Sequence, residues 1–547
     1  MDEDGSPHPA SGSLPVGGGD RPDPPGPTRR GAHAAPRRRR HRLRWTLGIL
    51  GAVVVLIVAG VGGYALYLNH LVHRITVKGL SAGASKGAEN GTENILLVGS
   101  TDRCALKTQY IGYGICNQGV TGVNSDVVMI LHLNPATHAV SVLSIPRDLF
   151  IPNARVEGAN KIDAALFEGP TQLVAAIQDD FGIPVQHYVE LNFDSFASVV
   201  DALGGINMYF PEPVYDPNSD LDVQTIGCRH LDGFHALQVV RARHLVHKGP
   251  GVTTENTADW TPEGQSDLAR IRRDHEFLRV LATAVANKGL GNPLADRDII
   301  AGVAPDLTVD SGLSVSHMLN LVLTYHSINI DQAPQLTMPV AVDQFGSYQY
   351  KGGSYGDIEF PAQPNDQSVV DQFLGINSAT NSMTGFPLPR PGAVSVSVEN
   401  GTGATDQATT TSAALSALGF RVMGAGDITP VGPESETVVY YGSKSPSVVA
   451  AAQTVARQLT GSVILGYNPA LVVDGAQVTL VTGTGFSVNA PAARPSPGSA
   501  TTAAPTAAPT TTTTSPGNGA FAAPTSSNEA LQPWDPRSCT ASGGEGS

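Results

Sequence analysis

The residues best suited to chemistry in this sequence are arginines and aspartates at the ends of apolar runs. Arg147 and Asp148 follow the alternating run AVSVL behind a proline, Asp102 follows ILLVGST, and Asp126 lies at the start of SDVVMILHL. Arginine binds phosphate oxygens bidentately and keeps its charge, whereas paired carboxylates repel unless a cation or arginine separates them. Arginines and aspartates together favour a site that binds an anionic substrate and a hard divalent cation such as Mg²⁺.

A second group of charged residues lies further along the chain. Arg241 and Arg243 are two apart in VVRARH, so in an extended segment both side chains point the same way. Asp267, Arg270 and Asp274 fall at i, i+3 and i+7, on one face of a predicted helix. Taken singly, each arginine is more often a surface or salt-bridge residue, and each aspartate a turn or cap residue. Taken together, they indicate a pocket for a polyanion or a pyrophosphate.

The sequence lacks the motifs of several other common kinds of active or binding site. The sequence contains no GxxxxGK[ST] phosphate loop and no HExxH zinc motif. The glycine-containing segments VENGTGA and VTGTGF are turns rather than a dinucleotide fingerprint.

The charge distribution predicts a membrane topology. Residues 1–45 hold nine Arg and five Asp or Glu, although the whole chain has a net charge of −14. The next 23 residues, 46–68, carry no charge, which is enough apolar chain for a spanning helix. The arginines are expected to stay cytoplasmic, so everything after about residue 70 is expected outside the plasma membrane. The basic run is then a topology and lipid head-group signal, and nucleic acid is not an expected partner.

The four cysteines all lie on the predicted outer side, where disulfides persist. Cys104 and Cys116 bracket a short loop and match no zinc pattern, so we expect them to pair. Cys228 and Cys539 are either free or paired with each other.

Strands and helices alternate through most of the chain and indicate two α/β units. Strand-like runs at 94–100, 125–133 and 138–145 precede helical patterns at 170–182, 194–205 and 266–289. The predicted order is a disordered basic cytoplasmic segment 1–45, a transmembrane anchor 46–68, a stalk 69–92, an α/β domain 93–345, a linker or extension 346–392, a small α/β domain 393–488 and a disordered Ala/Pro/Thr-rich tail 489–547.

Eight motifs resemble, in order, those of the LytR–CpsA–Psr (LCP) family. They are ILLVGSTDR, NSDVVMILHL, VLSIPRDLFI, NKIDAA, HYVELNF, VDALGGI, LDGFHALQVVRARH and DLARIRRDHEFL. The second unit, from VSVSVENGTGATDQA to VTLVTGTGF, resembles the LytR C-terminal domain found with it in actinobacteria. The resemblance implies an LCP-type α/β/α sandwich with a central mixed sheet and a hydrophobic tunnel for a lipid.

The resemblance also implies an activity. LCP proteins are phosphotransferases that move a glycopolymer from a polyprenyl-pyrophosphate carrier onto a muramic-acid hydroxyl of peptidoglycan. It implies that Mg²⁺ (or Mn²⁺) is held by Asp102, Asp126 and Asp267. It implies that phosphate is bound by Arg103, Arg147, Lys161, Arg241, Arg243, Arg270 and Arg273. The residues expected to act in catalysis are Asp102, as a possible general base, with Arg147, Arg241, Arg243 and Arg270.

Two other functions fit the same residues. The pocket could serve a pyrophosphatase of lipid carriers, with water as the acceptor. The chain could also be a non-catalytic wall-binding or regulatory membrane protein. The sequence does not reveal the glycopolymer.

Overall fold

A computed structural model describes residues 67, 70–81, 91–107, 116–264, 266–287, 304–325, 328, 333–342, 347–385, 387–429, 434–489 and 531–539. The helices are α1 Pro170–Phe181, α2 Phe193–Ala202, α3 Gly233–Arg241, α4 Ser266–Asn287, α5 Val315–Tyr325, α6 Asn365–Leu374, α7 Gln407–Ala417 and α8 Pro446–Ala456. A 3₁₀ helix spans Ile162–Glu168.

The strands are numbered in chain order. The first group is β1 His73–Ile75, β2 Glu93–Ser100, β3 Ser125–Asn134, β4 Ala139–Ser144, β5 Phe150–Arg155, β6 Gly158–Lys161, β7 His187–Leu191, β8 Ile206–Phe210, β9 Val214–Asp216, β10 Leu221–Val223, β11 Gly227–Leu231, β12 Val246–His247, β13 Thr261–Pro262 and β14 Thr308–Asp310. The second group is β15 Gln335–Thr337, β16 Val340–Val342, β17 Gln349–Tyr350, β18 Gly353–Ser354, β19 Glu359–Pro361, β20 Ser395–Asn400, β21 Arg421–Asp427, β22 Thr437–Tyr441, β23 Leu459–Gly461, β24 Val463–Tyr467, β25 Val478–Thr482, β26 Phe486–Val488 and β27 Arg537–Ser538.

A seven-stranded mixed sheet forms the centre of the fold, with the order β1-β14-β7-β2-β3-β4-β15. β2 pairs antiparallel with β3 and parallel with β7, and β3 continues antiparallel to β4. The mixed α/β class predicted from the sequence is therefore confirmed.

Helices cover both faces of this sheet. On one face, Leu96 of β2 and Ile130 of β3 are fully buried in one cluster with Leu173 and Ile177 of α1. On the opposite face, the Ser144 hydroxyl lies 2.7 Å from Nε2 of His275, which places α4 there. This gives the helix–sheet–helix layering that the resemblance implies.

Helix ends in this domain are set by local signals in the sequence. Asn192 caps α2 by accepting from the Ser195 amide, and Asp232 caps α3 by accepting from the His235 amide. Gly182 ends α1 in the left-handed conformation at φ 66°, where a side chain would be strained. These caps fix where the loops to the next strands begin.

The C-terminal α/β unit has its own five-stranded sheet, in the order β21-β20-β25-β22-β24. It packs against the first unit, because Val438 and Ile464 belong to the same buried cluster as α1. Lys444 also lies 2.7 Å from Asp179 of α1, and Arg457 bonds Asp371 with both terminal nitrogens. The segment between the units, predicted as a linker or extension, contains β17, β18, β19 and α6.

Two segments are more structured than the sequence suggested. The predicted stalk 69–92 contains β1, which is parallel to β14 at the edge of the central sheet. The predicted disordered tail 489–547 contains β27, which pairs with β8, so the prediction is wrong for residues 531–539. Trp534 and Asp535 explain this difference. The stacked ring of Trp534 and the buried carboxylate of Asp535 anchor the segment, although the residues that flank it in the sequence cannot form a core.

Both cysteine pairs are disulfides. Cys104 bonds Cys116, as predicted, and Cys228 bonds Cys539, which selects one of the two alternatives left open. The second bond links β11 to the residue that follows β27, on either side of β8.

The predicted anchor 46–68 and the basic segment before it lie outside the described residues, apart from Tyr67. Within the part of the chain that the structure describes, no helix combines the length and apolar character needed to cross a membrane.

The docking of the C-terminal segment yields a stability prediction. Asp535 is fully buried and its Oδ2 lies 2.5 Å from Nε of Arg272. Asp535→Asn removes a charge partner from a buried guanidinium, so we expect the free energy of unfolding to fall by about 3 kcal/mol in a urea titration. Glu255→Gln breaks the exposed contact with Lys248 and serves as the control, with almost no expected change. Equal effects of the two variants would contradict the anchoring role.

Candidate functional site

Arg147 lies in the loop after β4, and three carboxylates surround its guanidinium. Nη1 bonds Asp126 at the start of β3, Nη2 lies 3.2 Å from Asp163 Oδ2, and Nε lies 3.7 Å from Asp148 Oδ1. Burial alone would lower the pKa of Arg147, but the carboxylates outweigh it and raise that pKa. The side chain is 19% exposed, so a ligand can still reach this permanently charged group.

The Asp148 carboxylate contacts three cationic side chains. It accepts from Lys161 Nζ at 2.8 Å and from Arg243 Nη2 at 3.0 Å, in addition to its contact with Arg147. Burial would raise the pKa of Asp148, but Arg147 and Lys161 more than offset it and hold that pKa below its usual range. The carboxylate is therefore ionised and keeps the cations at one end of the sheet.

The start of α4 extends this set of charges. Oδ1 of Asp267 lies 3.5 Å from Nε of Arg243 and 2.9 Å from Nη2 of Arg270. Nε of Arg270 lies 3.8 Å from Asp274 Oδ2. Asp267, Arg270 and Asp274 thus share one face of the helix, as their spacing predicts.

Glu359 of β19 completes the group. Its amide donates to the Asp148 carbonyl at 3.0 Å, and burial, with the charges of Asp267 and Asp148, raises the pKa of its carboxyl to about 8. We call the whole set the charged network. It consists of Asp126, Arg147, Asp148, Lys161, Asp163, Arg243, Asp267, Arg270, Asp274 and Glu359.

Arg103 and Arg241 form a separate pair at Phe193, the first residue of α2. The guanidinium carbons lie 5.7 Å and 4.8 Å from the ring centroid, respectively. The expectation that Arg241 and Arg243 point the same way from an extended segment is wrong, because α3 runs to Arg241 and ends there. Arg243 reaches the charged network instead.

Two predicted site residues have local structural roles. Asp102 Oδ1 accepts from the amides of Cys104 and Ala105, so this carboxylate caps the turn after β2. Arg273 is almost fully buried, and it bonds Glu263 and the Ala242 carbonyl. A phosphate cannot reach Arg273 without rearrangement, which corrects its assignment as a phosphate ligand.

The charged network holds six carboxyl groups and four cations, so negative charge is in excess when all six carboxyls are ionised. Burial raises the pKa of Asp163 to about 6 despite Arg147, and that of Asp274 to about 7 despite Arg270. Both shifts show that nearby cations do not compensate these carboxyls fully. An anionic ligand would enter such a site only with additional positive charge.

The carboxylates fit a hard divalent cation. Both carboxylate oxygens of Asp267, Oδ1 of Asp274 and Oε2 of Glu359 are buried and accept no well-aligned hydrogen bond from the described residues. Such oxygens are the ligands that Mg²⁺ and Mn²⁺ prefer, and buried acceptors without donors are costly otherwise. Asp126 and Asp267, two of the predicted metal ligands, both belong to this network; Asp102 is engaged by its own turn.

Four carboxyl groups of the network, those of Asp148, Asp163, Asp274 and Glu359, were not predicted as catalytic, phosphate-binding or metal-binding residues. Asp148 and Asp163 lie within the motifs PRD and NKIDAA, and Asp274 lies on the same helix face as Arg270, so a signal existed for each. Glu359 had no signal, because it lies in the segment taken as a linker and reaches the site only through β19.

The exposure of the cations determines what this arrangement can bind. Lys161 is 19% and Arg243 27% exposed, whereas Arg270 is 4% exposed. Lys161 and Arg243 can therefore contact phosphate oxygens together with Arg147. Arg270 is too buried for such a contact, and it holds the Asp267 carboxylate in position instead. The site can therefore hold phosphoryl oxygens at the end of the central sheet.

Two family models match the chain. The LytR_cpsA_psr family model matches residues 72–359, more than half of the chain. The model described as "LytR cell envelope-related transcriptional attenuator" matches residues 393–486.

Curated relatives match the first unit. The chain is 31% identical over 304 residues to the "Probable cell wall biosynthesis protein LcpB" of Corynebacterium glutamicum, covering 54% of this chain and 66% of the relative. It is 28% identical over 216 residues to the "Polyisoprenyl-teichoic acid--peptidoglycan teichoic acid transferase TagU" of Bacillus mycoides, covering 37% and 62%. In both cases the aligned stretch spans a little less than two thirds of the relative's length.

Among solved structures, the chain is similar to a "LytR-Csp2A-Psr enzyme from Actinomyces oris", with 23% identity and a TM-score of 0.41. The match covers 55% of this chain and 94% of that chain. The assignment depends on the family model, which spans the charged network from Asp126 to Glu359. On that match, this chain belongs to the LytR–CpsA–Psr family.

Proposed function

We propose that this chain is a cell-envelope phosphotransferase that moves a glycopolymer from a polyprenyl-pyrophosphate carrier onto a muramic-acid hydroxyl of peptidoglycan. The observation that carries the proposal is the charged network, where carboxylates hold three partly exposed cations, Arg147, Lys161 and Arg243, close together. The names of its relatives in Corynebacterium and Bacillus, which concern the cell wall and teichoic acid transfer, support it further.

The proposed reaction breaks the phosphoanhydride bond of the carrier and forms a phosphate ester bond to the acceptor. The acceptor hydroxyl oxygen forms a bond to the phosphorus that carries the sugar, and the bond from that phosphorus to the lipid phosphate breaks. The lipid phosphate leaves with the bond's electron pair, and the hydroxyl proton goes to a base, for which Asp102 is proposed. Asp102 lies at the end of β2, where its turn fixes the carboxylate.

The cations of the network would bind and orient the pyrophosphate. Arg147 and Arg243 carry planar donor sets that match phosphate oxygens, and Lys161 adds a point charge. The carboxylates fix these groups before the substrate arrives, so little reorganisation is needed as charge develops on the leaving phosphate. Arg103 and Arg241, which share the Phe193 ring, would contact the phosphate or the adjoining sugar.

A divalent cation, Mg²⁺ or Mn²⁺, is part of the proposal. Asp126 and Asp267 would hold it, with Asp102 as a third candidate and the uncompensated oxygens of Asp274 and Glu359 close to the same charges. When bound, the cation would neutralise negative charge on the phosphates.

Part of the central sheet could accommodate the lipid chain. Leu97 of β2 and Leu131 of β3 share the face over which α4 lies, and both are only half-buried. On the same face, α5 packs against Val189 and Val309. An apolar strip between two helices, ending at the strand ends that carry the charges, fits an isoprenoid attached to a pyrophosphate.

The location of the protein is also proposed. Segment 46–68 would be a single transmembrane helix with the N-terminus in the cytoplasm. The folded units would then face the cell wall, where the disulfides are stable and peptidoglycan is accessible.

The first prediction from the proposed function concerns turnover. Arg243→Gln keeps a polar side chain but removes its charge and shortens it, so we expect kcat/KM for transfer from a polyprenyl-pyrophosphate glycan to peptidoglycan to fall about 100-fold. Arg155→Gln is the matched control, because Arg155 also faces a carboxylate, Glu168, but lies outside the network. Thermal melts of both variants would check that they fold.

The same assay distinguishes the alternatives. The proposed transferase forms a glycan–peptidoglycan product only when the acceptor is present. Release of free glycan phosphate at the same rate without an acceptor would identify a pyrophosphatase instead. Unchanged transfer by the Arg243→Gln variant would exclude the network as the active site.

The second prediction concerns pH and Mg²⁺. The raised pKa values of Asp163, Asp274 and Glu359 mean that the folded protein binds protons that the unfolded chain has lost. These groups therefore lower the free energy of unfolding as pH rises from about 4 to about 8. Because Mg²⁺ binds ionised carboxylates, we expect it to raise the melting temperature more at about pH 8 than at about pH 5.5.

The control for this prediction is Asp267→Asn, which removes a central charge from the network. We expect this variant to lose most of the Mg²⁺ effect at about pH 8. An increase in melting temperature that is the same at both pH values, or the same in the variant, would contradict the proposed metal site.

A further inference from the structure

Glu93, His187 and His317 form a second cluster of potential metal ligands. Glu93 begins β2, His187 begins β7, and His317 lies in the first turn of α5. Nε2 of His317 lies 2.8 Å from Glu93 Oε2, and the imidazole centroids are 5.4 Å apart. One ligand atom from each residue lies within 4.8 Å of the other two. Three residues that are far apart in the sequence thus present two imidazoles and one carboxylate to the same point.

Asp310 at the end of β14 orients one of the histidines. Its Oδ2 lies 3.0 Å from Nδ1 of His187. The same carboxylate accepts from the amides of Tyr188 and Gly312, which hold it in position. It therefore accepts from Nδ1–H of His187, which leaves Nε2 of His187 to face a metal ion. A carboxylate behind a histidine is the usual outer partner of a zinc ligand.

This cluster is distinct from the charged network. Glu93 and Gly99 lie at opposite ends of β2, six residues or about 20 Å apart. Arg103 and the carboxylates of the network lie beyond the Gly99 end. One ion cannot serve both places, and their ligand types differ, since the network offers oxygens and the cluster offers two nitrogens.

We propose that Glu93, His187 and His317 bind a zinc ion, with the remaining coordination position open to water. Two imidazoles and one carboxylate form a zinc ligand set, whereas Mg²⁺ prefers oxygen alone. In tetrahedral zinc sites the ligand atoms lie about 3.3 Å from one another, so the observed spacing requires only small side-chain rotations. The three side chains are 22%, 16% and 32% exposed in that order, which leaves room for a water ligand.

The zinc ion would attach α5 to the central sheet. α5 contacts the sheet through a small cluster, in which Val315 of the helix is buried with Val309 of β14 and Leu313. A metal bond from His317 to β2 and β7 would fix this helix over the face proposed for the lipid chain. The inference does not depend on the phosphotransferase activity, since it concerns only zinc binding and the stability of α5.

Zinc titration of the full-length, untagged protein tests the proposal. The protein is stripped with a chelator, and Mg²⁺ is kept in excess so that the charged network does not take up zinc. We expect His317→Ala to weaken zinc binding at least tenfold, and Asp310→Asn to weaken it about 10- to 100-fold. With Co²⁺ in place of zinc, the visible bands of a tetrahedral complex should appear in the wild type and be lost in His317→Ala.

The control is His235→Ala. His235 also lies next to a carboxylate, with its Nδ1 2.7 Å from Asp232, but belongs to a surface pair rather than to the cluster. This variant should bind zinc like the wild type. The melting temperature should rise with zinc in the wild type and in His235→Ala, but not in His317→Ala, which should still fold because His317 is only partly buried. Equal zinc affinity in the wild type and His317→Ala would overturn the proposal. Glu93, His187 and His317 would then form a hydrogen-bonded cluster that binds no metal.

Discussion

The site depends on the contact between Arg147 and the carboxylates around it. Asp126, Asp148 and Asp163 come from separate elements, and each approaches a different part of one guanidinium. Such a buried cluster is costly to assemble, because every charge loses water. Its cost is offset only when all the partners are present, and this requirement fixes the loop after β4 relative to β3 and the 3₁₀ helix. The cations are thereby positioned before any substrate binds.

The central sheet makes this arrangement possible. β2, β3 and β4 are adjacent, so the residues at the end of β2, the start of β3 and the end of β4 meet at one edge. α4 crosses the same region and supplies a second layer of charges, while its His275 bonds Ser144 of the sheet. Because the network holds more carboxyl groups than cations, an anionic substrate needs additional positive charge to bind there. A divalent cation supplies that charge, and the charges of substrate and cation compensate each other.

Local patterns in the sequence predicted most of the framework but not all of the site. The short apolar runs of β2 and β3 and the 3.6-residue spacing in α4 identified those elements to within a few residues, because buried strands and helices impose those patterns. Glu359 could not be predicted, since β19 reaches Asp148 only through tertiary packing. Arg241 was misplaced because nothing in VVRARH shows where the helix ends. The pairing of β27 with β8 was missed for the same reason, as a short strand in a low-complexity tail has no pattern of its own.

The central claim is that phosphate oxygens bind the guanidinium groups of Arg147 and Arg243 while the carboxylates of the network hold these groups in place. A crystal structure with Mg²⁺ and a short prenyl pyrophosphate tests it most directly. We expect phosphate oxygens within hydrogen-bond distance of the terminal nitrogens of Arg147 and Arg243, with the metal on Asp126 and Asp267 and the prenyl chain against Leu97. A structure in which the pyrophosphate binds elsewhere, with no phosphate oxygen within hydrogen-bond distance of Arg147 or Arg243, would contradict the account.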